Sequence, residues 1–251
     1  MDMTDSMAVL DADLVELLRQ ARRVVALSGA GISAESGVPT FREAQRGLWA
    51  QYDPAELATP EGFVRNPQRV WDWYVMRRQL MAQVEPNAGH RALAAWAQRR
   101  PGLVVVTQNV DGLHQRAGSD AVIELHGNIM RTRCSAEGVL VDEWQEVPGE
   151  VPRCGQCAAY LRPDVVWFGE MLPPNAFARA ERAVAAADLV LSIGTSSLVQ
   201  PAAQLPYRAL QAGIPVVEIN PEATPLTPDA SFSLRGAAGQ ILPALVAAVD
   251  N

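Results

Sequence analysis

Apolar residues in this chain collect in short unbroken runs, and amphipathic stretches separate them. The runs Val24–Leu27, Leu103–Val106, Ala121–Leu125, Asp188–Ile193 and Pro215–Ile219 show no strict alternation of apolar and polar positions. Strands covered on both faces have that character, as in a parallel sheet. The stretch Asp11–Arg23 instead sets Leu14, Val15, Leu17 and Leu18 along one helical stripe. Ala88–Arg99, Ala176–Ala186, Ala202–Ala212 and a closing segment near Gly239–Val249 read as further helices. Strand and helix taking turns predict an α/β fold around a mostly parallel sheet.

Two regions break the alternation. Residues 43–86 carry helix-like segments, no strand, and Trp49, Trp71 and Trp73; residues 128–165 hold all three cysteines, several prolines and little helical period. Both are expected to be insertions that build a smaller module. The larger domain then comprises residues 1–42, 87–127 and 166–251.

Composition narrows the function classes. A chain of 251 residues, 49% of them hydrophobic, can bury the core of one large domain with a smaller one inserted. No stretch reaches the ~20 apolar residues of a membrane span. Met1–Leu10 carries Asp2 and Asp5 and lacks a basic segment followed by an apolar run, so a cytoplasmic location is expected. The net charge of −7 argues against nucleic acid as a partner. Three cysteines, Cys134, Cys154 and Cys157, do not read as a disulfide framework.

The first strand ends in Gly29-Ala30-Gly31-Ile32-Ser33-Ala34. Glycines there let the backbone turn sharply and approach a pyrophosphate, with free N–H groups of the next helix beyond. A plain strand-to-helix turn explains the same residues. The continuation Glu35-Ser36-Gly37-Val38-Pro39-Thr40-Phe41-Arg42 is more telling, because a dehydrogenase loop would run on as regular helix. Residues 29–42 resemble the NAD-binding signature of the sirtuins. The resemblance continues through residues 107–114 (Thr-Gln-Asn-Val-Asp-Gly-Leu-His), Leu125-His126-Gly127, Val166-Trp167-Phe168-Gly169-Glu170, Gly194-Thr195-Ser196 and Ile219-Asn220. It implies a Rossmann-like, doubly wound parallel sheet beside a smaller zinc-binding and helical module, with NAD in the cleft between them. The positions it assigns to the cofactor are Gly29, Ala30, Gly31, Ser33, Ala34, Glu35, Thr40, Phe41, Arg42, Gln108, Asn109, Asp111, Gly194, Thr195, Ser196, Asn220, Pro221, Glu222 and Ala238.

Of the three histidines, His126 follows the short strand Val122–Leu125 and precedes a glycine. That places an imidazole at a strand's carboxyl end, where open α/β sheets bind ligands. The matching sirtuin histidine takes a proton from a ribose hydroxyl, a task suited to a group titrating near neutrality. His114 is expected to orient a loop, and His90 to lie at the solvated start of a helix. Gln108, Asn109 and Asp111 can form a polar turn; the resemblance has them hold the nicotinamide carboxamide and the ribose, with Val110 packing or touching substrate. The implied reaction is removal of an acyl group from lysine: the acyl oxygen attacks the ribose as nicotinamide leaves, and the products are free lysine, nicotinamide and an acylated ADP-ribose.

Tyr74 and Arg77 stand at i and i+3 of helical ground and share a face. Arg78 points about 100° away. An aromatic core side with a solvated arginine would look the same. The pair matches one in class III sirtuins, which remove succinyl and malonyl groups. A guanidinium grips a carboxylate with two parallel hydrogen bonds, and a phenol adds a third. Ala34 leaves room for a longer acyl chain. The apolar segment Val165–Gly169, with Val166, Trp167, Phe168 and Gly169, is expected to take the peptide as an added strand.

Cys154-Gly155-Gln156-Cys157 is half of a zinc knuckle; the other half reads Cys134-Ser135-Ala136-Glu137, with glutamate where the family usually has cysteine. Cys134, Cys154 and Cys157 are the expected ligands. Glu137, Asp142 or Glu143 could complete a structural site, since zinc accepts carboxylate oxygen, or the site could be empty. Acylated-lysine proteins or peptides are the expected partners, and a monomer the expected state. An ADP-ribosyltransferase using the same cleft is the alternative.

Overall fold

The computed structural model describes residues 11–39, 53–145, 147 and 149–250. Its main sheet has six strands in the order β3-β2-β1-β6-β7-β8. They are β1 (Val24–Ser28), β2 (Leu103–Thr107), β3 (Val122–Glu124), β6 (Leu189–Ile193), β7 (Val216–Ile219) and β8 (Phe232–Leu234). All neighbouring pairs are parallel. Every residue of β1, β6 and β7 is buried, which is what their unbroken apolar runs require. The strand order reverses between β1 and β6, and the carboxyl ends of strands at such a switch point are where open α/β sheets bind ligands.

Helices cover both faces. On one, α1 (Ala12–Gln20), α5 (Ala88–Arg99) and α9 (Ala238–Asp250) pack Leu14, Leu18, Leu93, Trp96, Leu242 and Leu245 against β1, β2, β6 and β7. On the other, α7 (Pro174–Ala185) and α8 (Gln204–Gln211) bury Ala180, Val184, Leu205 and Ala209. The first helix stops at Gln20 rather than Arg23. The N–H groups of Arg22 and Arg23 instead donate to the Asp188 carboxylate, so the helix ends three residues short of its pattern while β1 still begins at Val24. Strand β8 was hidden because Phe-Ser-Leu is too short to show a period.

The cysteine region contains a second sheet. Strand β4 (Gly127–Cys134) pairs antiparallel with β5 (Leu161–Val165), and the register shifts between Asn128 and Thr132. Arg131, Arg133, Arg162, Pro163 and Asp164 interrupt any apolar run here, so the chain's pattern does not predict these strands. Beside the hairpin lie α2 (Pro54–Leu57), α3 (Pro60–Arg65) and α4 (Pro67–Gln83), with α6 (Leu113–Arg116) following β2. The Asn66 side chain accepts from Arg69 N–H and caps α4, with proline at the first helical position. Leu57, Phe63, Val70, Tyr74, Ile129, Val165 and Trp167 form one apolar cluster there, and Trp71 with Cys134, Val151, Cys154 and Leu161 another.

Candidate active site

The glycine loop leaves β1 and becomes a 3₁₀ helix, Ala30–Ser36, rather than a regular α-helix. Its glycines are fixed first by the chain itself. A Cβ on Gly31 would lie 2.7 Å from Gly194 Cα, and one on Gly29 2.8 Å from the Gly194 carbonyl. Gly194, at φ +58, ends β6 and accepts from Gly31 N–H at 2.9 Å. The two strand ends therefore touch backbone to backbone. Asn220, after β7, donates its amide to the Thr195 carbonyl at 2.7 Å, which gathers Gly194, Thr195, Ser196 and Asn220 at one edge. Pro221 and Glu222 follow, exposed. The Glu35 carboxylate accepts from Gly239 N–H at 2.6 Å, tying the loop to the start of α9 beside the buried Ala238. Ala34 is exposed next to it. Thr40, Phe41 and Arg42 lie outside the described residues, as does Trp49.

A polar network joins this loop to the turn after β2. Asn109 donates to the Gly29 carbonyl and to Ser33 Oγ, both at 3.1 Å. Ser33 Oγ donates in turn to Asp111 at 2.7 Å, and Leu113 N–H reaches the other Asp111 oxygen at 2.9 Å. Burial raises the Asp111 carboxyl above the ordinary range, against those hydrogen bonds. The polar turn and the glycine loop are one structure.

His126 sits where β3 ends. Leu125 N–H still bonds the Thr107 carbonyl, and Gly127 then turns at φ +80, where a Cβ would meet the Asp164 carbonyl at 2.1 Å. His126 Nδ1 lies 2.8 Å from the Gln108 carbonyl. A carbonyl can only accept, so Nδ1 carries the proton and Nε2 keeps its lone pair. Burial lowers the imidazole's pKa, partly opposed by that hydrogen bond. The neutral, acceptor form is favoured.

The other two histidines are both buried, which differs from the solvated helix start expected for His90. His90 is fully buried rather than solvated. It is the third residue of α5 and forms a capping box with Asn87, and its Nε2 lies 3.4 Å from Ser33 Oγ beneath the glycine loop. His114 packs edge-on against it at 4.9 Å and meets Ser28 Oγ at 2.8 Å. Burial pulls His90 down to about 4 and His114 to about 3.

On α4, Tyr74 is buried and its hydroxyl accepts from Trp167 Nε1 at 2.9 Å. Arg77 is half-buried and lies over the Trp73 ring at 4.7 Å and the Tyr74 ring at 5.6 Å. Among the described residues its guanidinium makes no hydrogen bond or ion pair, and burial lowers its pKa. Arg78, by contrast, donates to the carbonyls of Ile129 and Arg131 and to Thr132 Oγ1, which pins α4 to β4. The arginines diverge as their helical positions require.

Segment 165–170 connects β5 to this site. Val166 N–H donates to the His126 carbonyl and Phe168 N–H to the Ala58 carbonyl, each at 2.9 Å. Trp167 N–H donates to Glu170 at 2.8 Å. Three consecutive N–H groups are thus already used, which leaves a strand added here to pair through carbonyls or the Gly169 N–H. Two residues that the sequence reading missed hold this segment. Arg162, buried on β5, grips both Glu170 oxygens at 2.5 and 3.0 Å, bonds the Val165 carbonyl, and lies over the Trp167 ring at 3.2 Å. The signal available was Glu170 closing the Val-Trp-Phe-Gly-Glu motif without an assigned task. Val110, half-buried, accepts from Ile129 N–H and links the Asn-Val-Asp turn to β4.

The three cysteine sulfurs lie within 4.8 Å of one another, with Cys134 and Cys157 3.4 Å apart. All three are free thiols. Sulfurs this close, drawn from two turns, suit a thiophilic ion such as zinc. Glu137 is exposed on the first turn and its backbone N–H points to Cys134 Sγ at 3.5 Å.

A parallel sheet with a glycine loop at its switch point, and an imidazole at the carboxyl end of its edge strand β3, has the Rossmann-like arrangement of nucleotide-binding proteins. Comparison with known proteins narrows the class. The Sir2 family model matches residues 29–201. The NAD-dependent protein deacylase of Mycobacterium tuberculosis (strain ATCC 25177 / H37Ra) is 52% identical over 230 residues, covering 89% of this chain and 96% of the relative. A solved Sir2 homologue–NAD complex matches with a TM-score of 0.89 at 46% identity, over 96% of this chain and 94% of that one. A Sir2 protein bound to acetylated peptide matches at 0.81 and 31% identity, over 94% and 96%. The chain belongs to the Sir2 family.

Proposed function

We propose that this protein is an NAD-dependent protein-lysine deacylase that favours succinyl- and malonyl-lysine over acetyl-lysine. The carrying observation is the His126–Gln108 hydrogen bond, which leaves Nε2 as a proton acceptor at the carboxyl end of β3. NAD supplies an activated ribose with nicotinamide as its leaving group. Asn109 and Asp111 orient that end of the cofactor, and Ser33 joins them through its hydroxyl. Gly194, Thr195, Ser196, Asn220, Pro221 and Glu222 flank the other end. His126 would take the proton from a ribose hydroxyl as that hydroxyl attacks the acyl carbon, and a water would complete the release of the lysine amine. Trp167, Phe168 and Gly169 line the path of the substrate backbone.

The acyl preference rests on Arg77. Its guanidinium is held by ring contacts alone among the described residues, so a carboxylate on the acyl chain gains a partner that a neutral acetyl group does not. Tyr74 stands beside it on the same helical face, its hydroxyl held by Trp167. Cys134, Cys154 and Cys157 hold a structural zinc that takes no part in bond making. Residues 43–86 and 128–165 act as a small module, a reading supported by the separate apolar clusters of the hairpin region. We also take the protein to act as a cytoplasmic monomer; no helix among the described residues is long and apolar enough to cross a membrane. The relatives' naming and the lone-pair geometry of His126 favour acyl removal over ADP-ribosyl transfer.

The test is one peptide carrying acetyl-, malonyl- or succinyl-lysine, incubated with and without NAD and read by mass spectrometry. NAD-dependent loss of the acyl mass with release of nicotinamide is expected, fastest for the acidic acyl groups. Transfer of ADP-ribose to the peptide without deacylation would overturn the reading.

A further inference from the structure

Three thiolates leave one corner of a tetrahedral zinc site to be filled; the Glu137 carboxylate is not among the groups gathered within 4.8 Å, but the backbone of its turn matches it to that corner. The cysteine region contains two turns of identical hydrogen-bond pattern. In the first, Cys134 N–H donates to the Val139 carbonyl at 2.9 Å, and Gly138 N–H returns to the Cys134 carbonyl at 3.0 Å. In the second, Cys154 N–H donates to the Ala159 carbonyl at 2.8 Å, and Ala158 N–H returns to the Cys154 carbonyl at 2.9 Å. Glu137 N–H points to Cys134 Sγ, as Cys157 N–H does to Cys154 Sγ. The left-handed residue falls at the same place in each, Gly138 at φ +69 and Ala158 at φ +59. An isolated antiparallel bridge closes each turn, Arg133 with Leu140 and Arg153 with Tyr160.

Matched position by position, Cys134 corresponds to Cys154, and Glu137 to Cys157. We propose that Glu137 is the fourth ligand of the zinc site, through a carboxylate oxygen. This deepens the structural-zinc reading above and uses that reading only for the identity of the metal. Glu137 is exposed, and among the described residues its side chain has no hydrogen-bond or ion-pair partner to give up. Asp142 and Glu143 do not share its position. After the Arg133–Leu140 bridge, Val141 N–H bonds the Thr132 carbonyl, and the chain has left the turn. An oxygen donor among three sulfurs makes a harder site than four thiolates, with weaker hold on zinc.

The experiment uses the full chain stripped of metal and titrated with zinc against a chelating dye, then with cobalt(II) followed by absorbance. Wild type should bind about one zinc per chain. Glu137→Ala and Glu137→Gln should each weaken binding by about tenfold or more, while Asp142→Asn should not. Glu137→Cys should bind more tightly and raise the sulfur-to-cobalt charge-transfer band by about a third, as thiolates go from three to four. The proposal is overturned if both the alanine and glutamine variants match wild type, if Asp142→Asn is the variant that weakens, or if wild type binds no zinc. None of these readings depends on deacylation, so loss of the proposed function would leave this test intact.

Discussion

At the scale of single residues, the roles proposed for His126 and Arg77 rest on opposite features. His126 is committed by a hydrogen bond: Nδ1 is spoken for by the Gln108 carbonyl, and burial keeps the ring below its usual pKa of 6.5. It is therefore neutral at pH 7 and becomes charged only as pH falls below that value. The profile of kcat/KM should accordingly lose activity on its acid side with a midpoint under 6.5. His126→Ala should lower turnover by roughly 10²–10⁴-fold and leave NAD binding largely intact, as isothermal titration would show. Near-normal turnover in that variant would remove it from the mechanism. Arg77 is uncommitted by comparison, resting on Trp73 and Tyr74. Arg77→Met should cost succinyl-peptide kcat/KM roughly 10- to 150-fold, the worth of about 1.5–3 kcal/mol, and spare acetyl-peptide kcat/KM. Equal losses on both peptides would show that the arginine supports the helix instead.

At the scale of elements, the segment after β5 is held by a charge pair that the chain's pattern conceals. Arg162 and Glu170 enclose Trp167, whose indole N–H in turn fixes the Tyr74 hydroxyl. Glu170→Ala should raise the peptide KM several-fold while the KM for NAD stays put, and Arg162→Met should reduce unfolding free energy by about 1–3 kcal/mol in urea titrations. A Glu170→Ala enzyme with unaltered peptide kinetics would count against the positioning role. The ease of reading these elements from sequence followed burial. β1, β2, β6 and β7 were visible because two covered faces demand unbroken apolar runs. The β4–β5 pair was not, because charged residues break its apolar pattern, Arg131 and Arg133 pairing with Asp164 on the facing strand and Arg162 with Glu170 beyond β5. His126, Asn109 and the cysteines were legible through motif. His90 was not, because nothing in Asn87-Ala88-Gly89-His90 tells that a helix start lies under another loop.

At the scale of the whole molecule, the paired histidines between α5 and the sheet link stability to pH. Both are held neutral, His90 near 4 and His114 near 3, against an unfolded value near 6.5. Their contribution is fully present above about pH 6.5 and is lost as pH falls below it, because the unfolded chain takes up protons that the native fold refuses. Each can cost up to about 1.4 kcal/mol per pH unit across that window. Urea midpoints measured at pH 7, 6 and 5 should fall progressively, and His114→Gln should flatten the fall; pH-independent midpoints would contradict it. The contact between Gly31 and Gly194 has a different consequence, for anyone recombining this gene. Each glycine fills the space that a methyl group on the other would occupy, so no paired exchange can rescue a single one. A chimera whose crossover falls between them must inherit glycine from both parents. A library aimed at altered cofactor use should leave that pair constant and draw its diversity from the exposed positions Ala34 and Glu222.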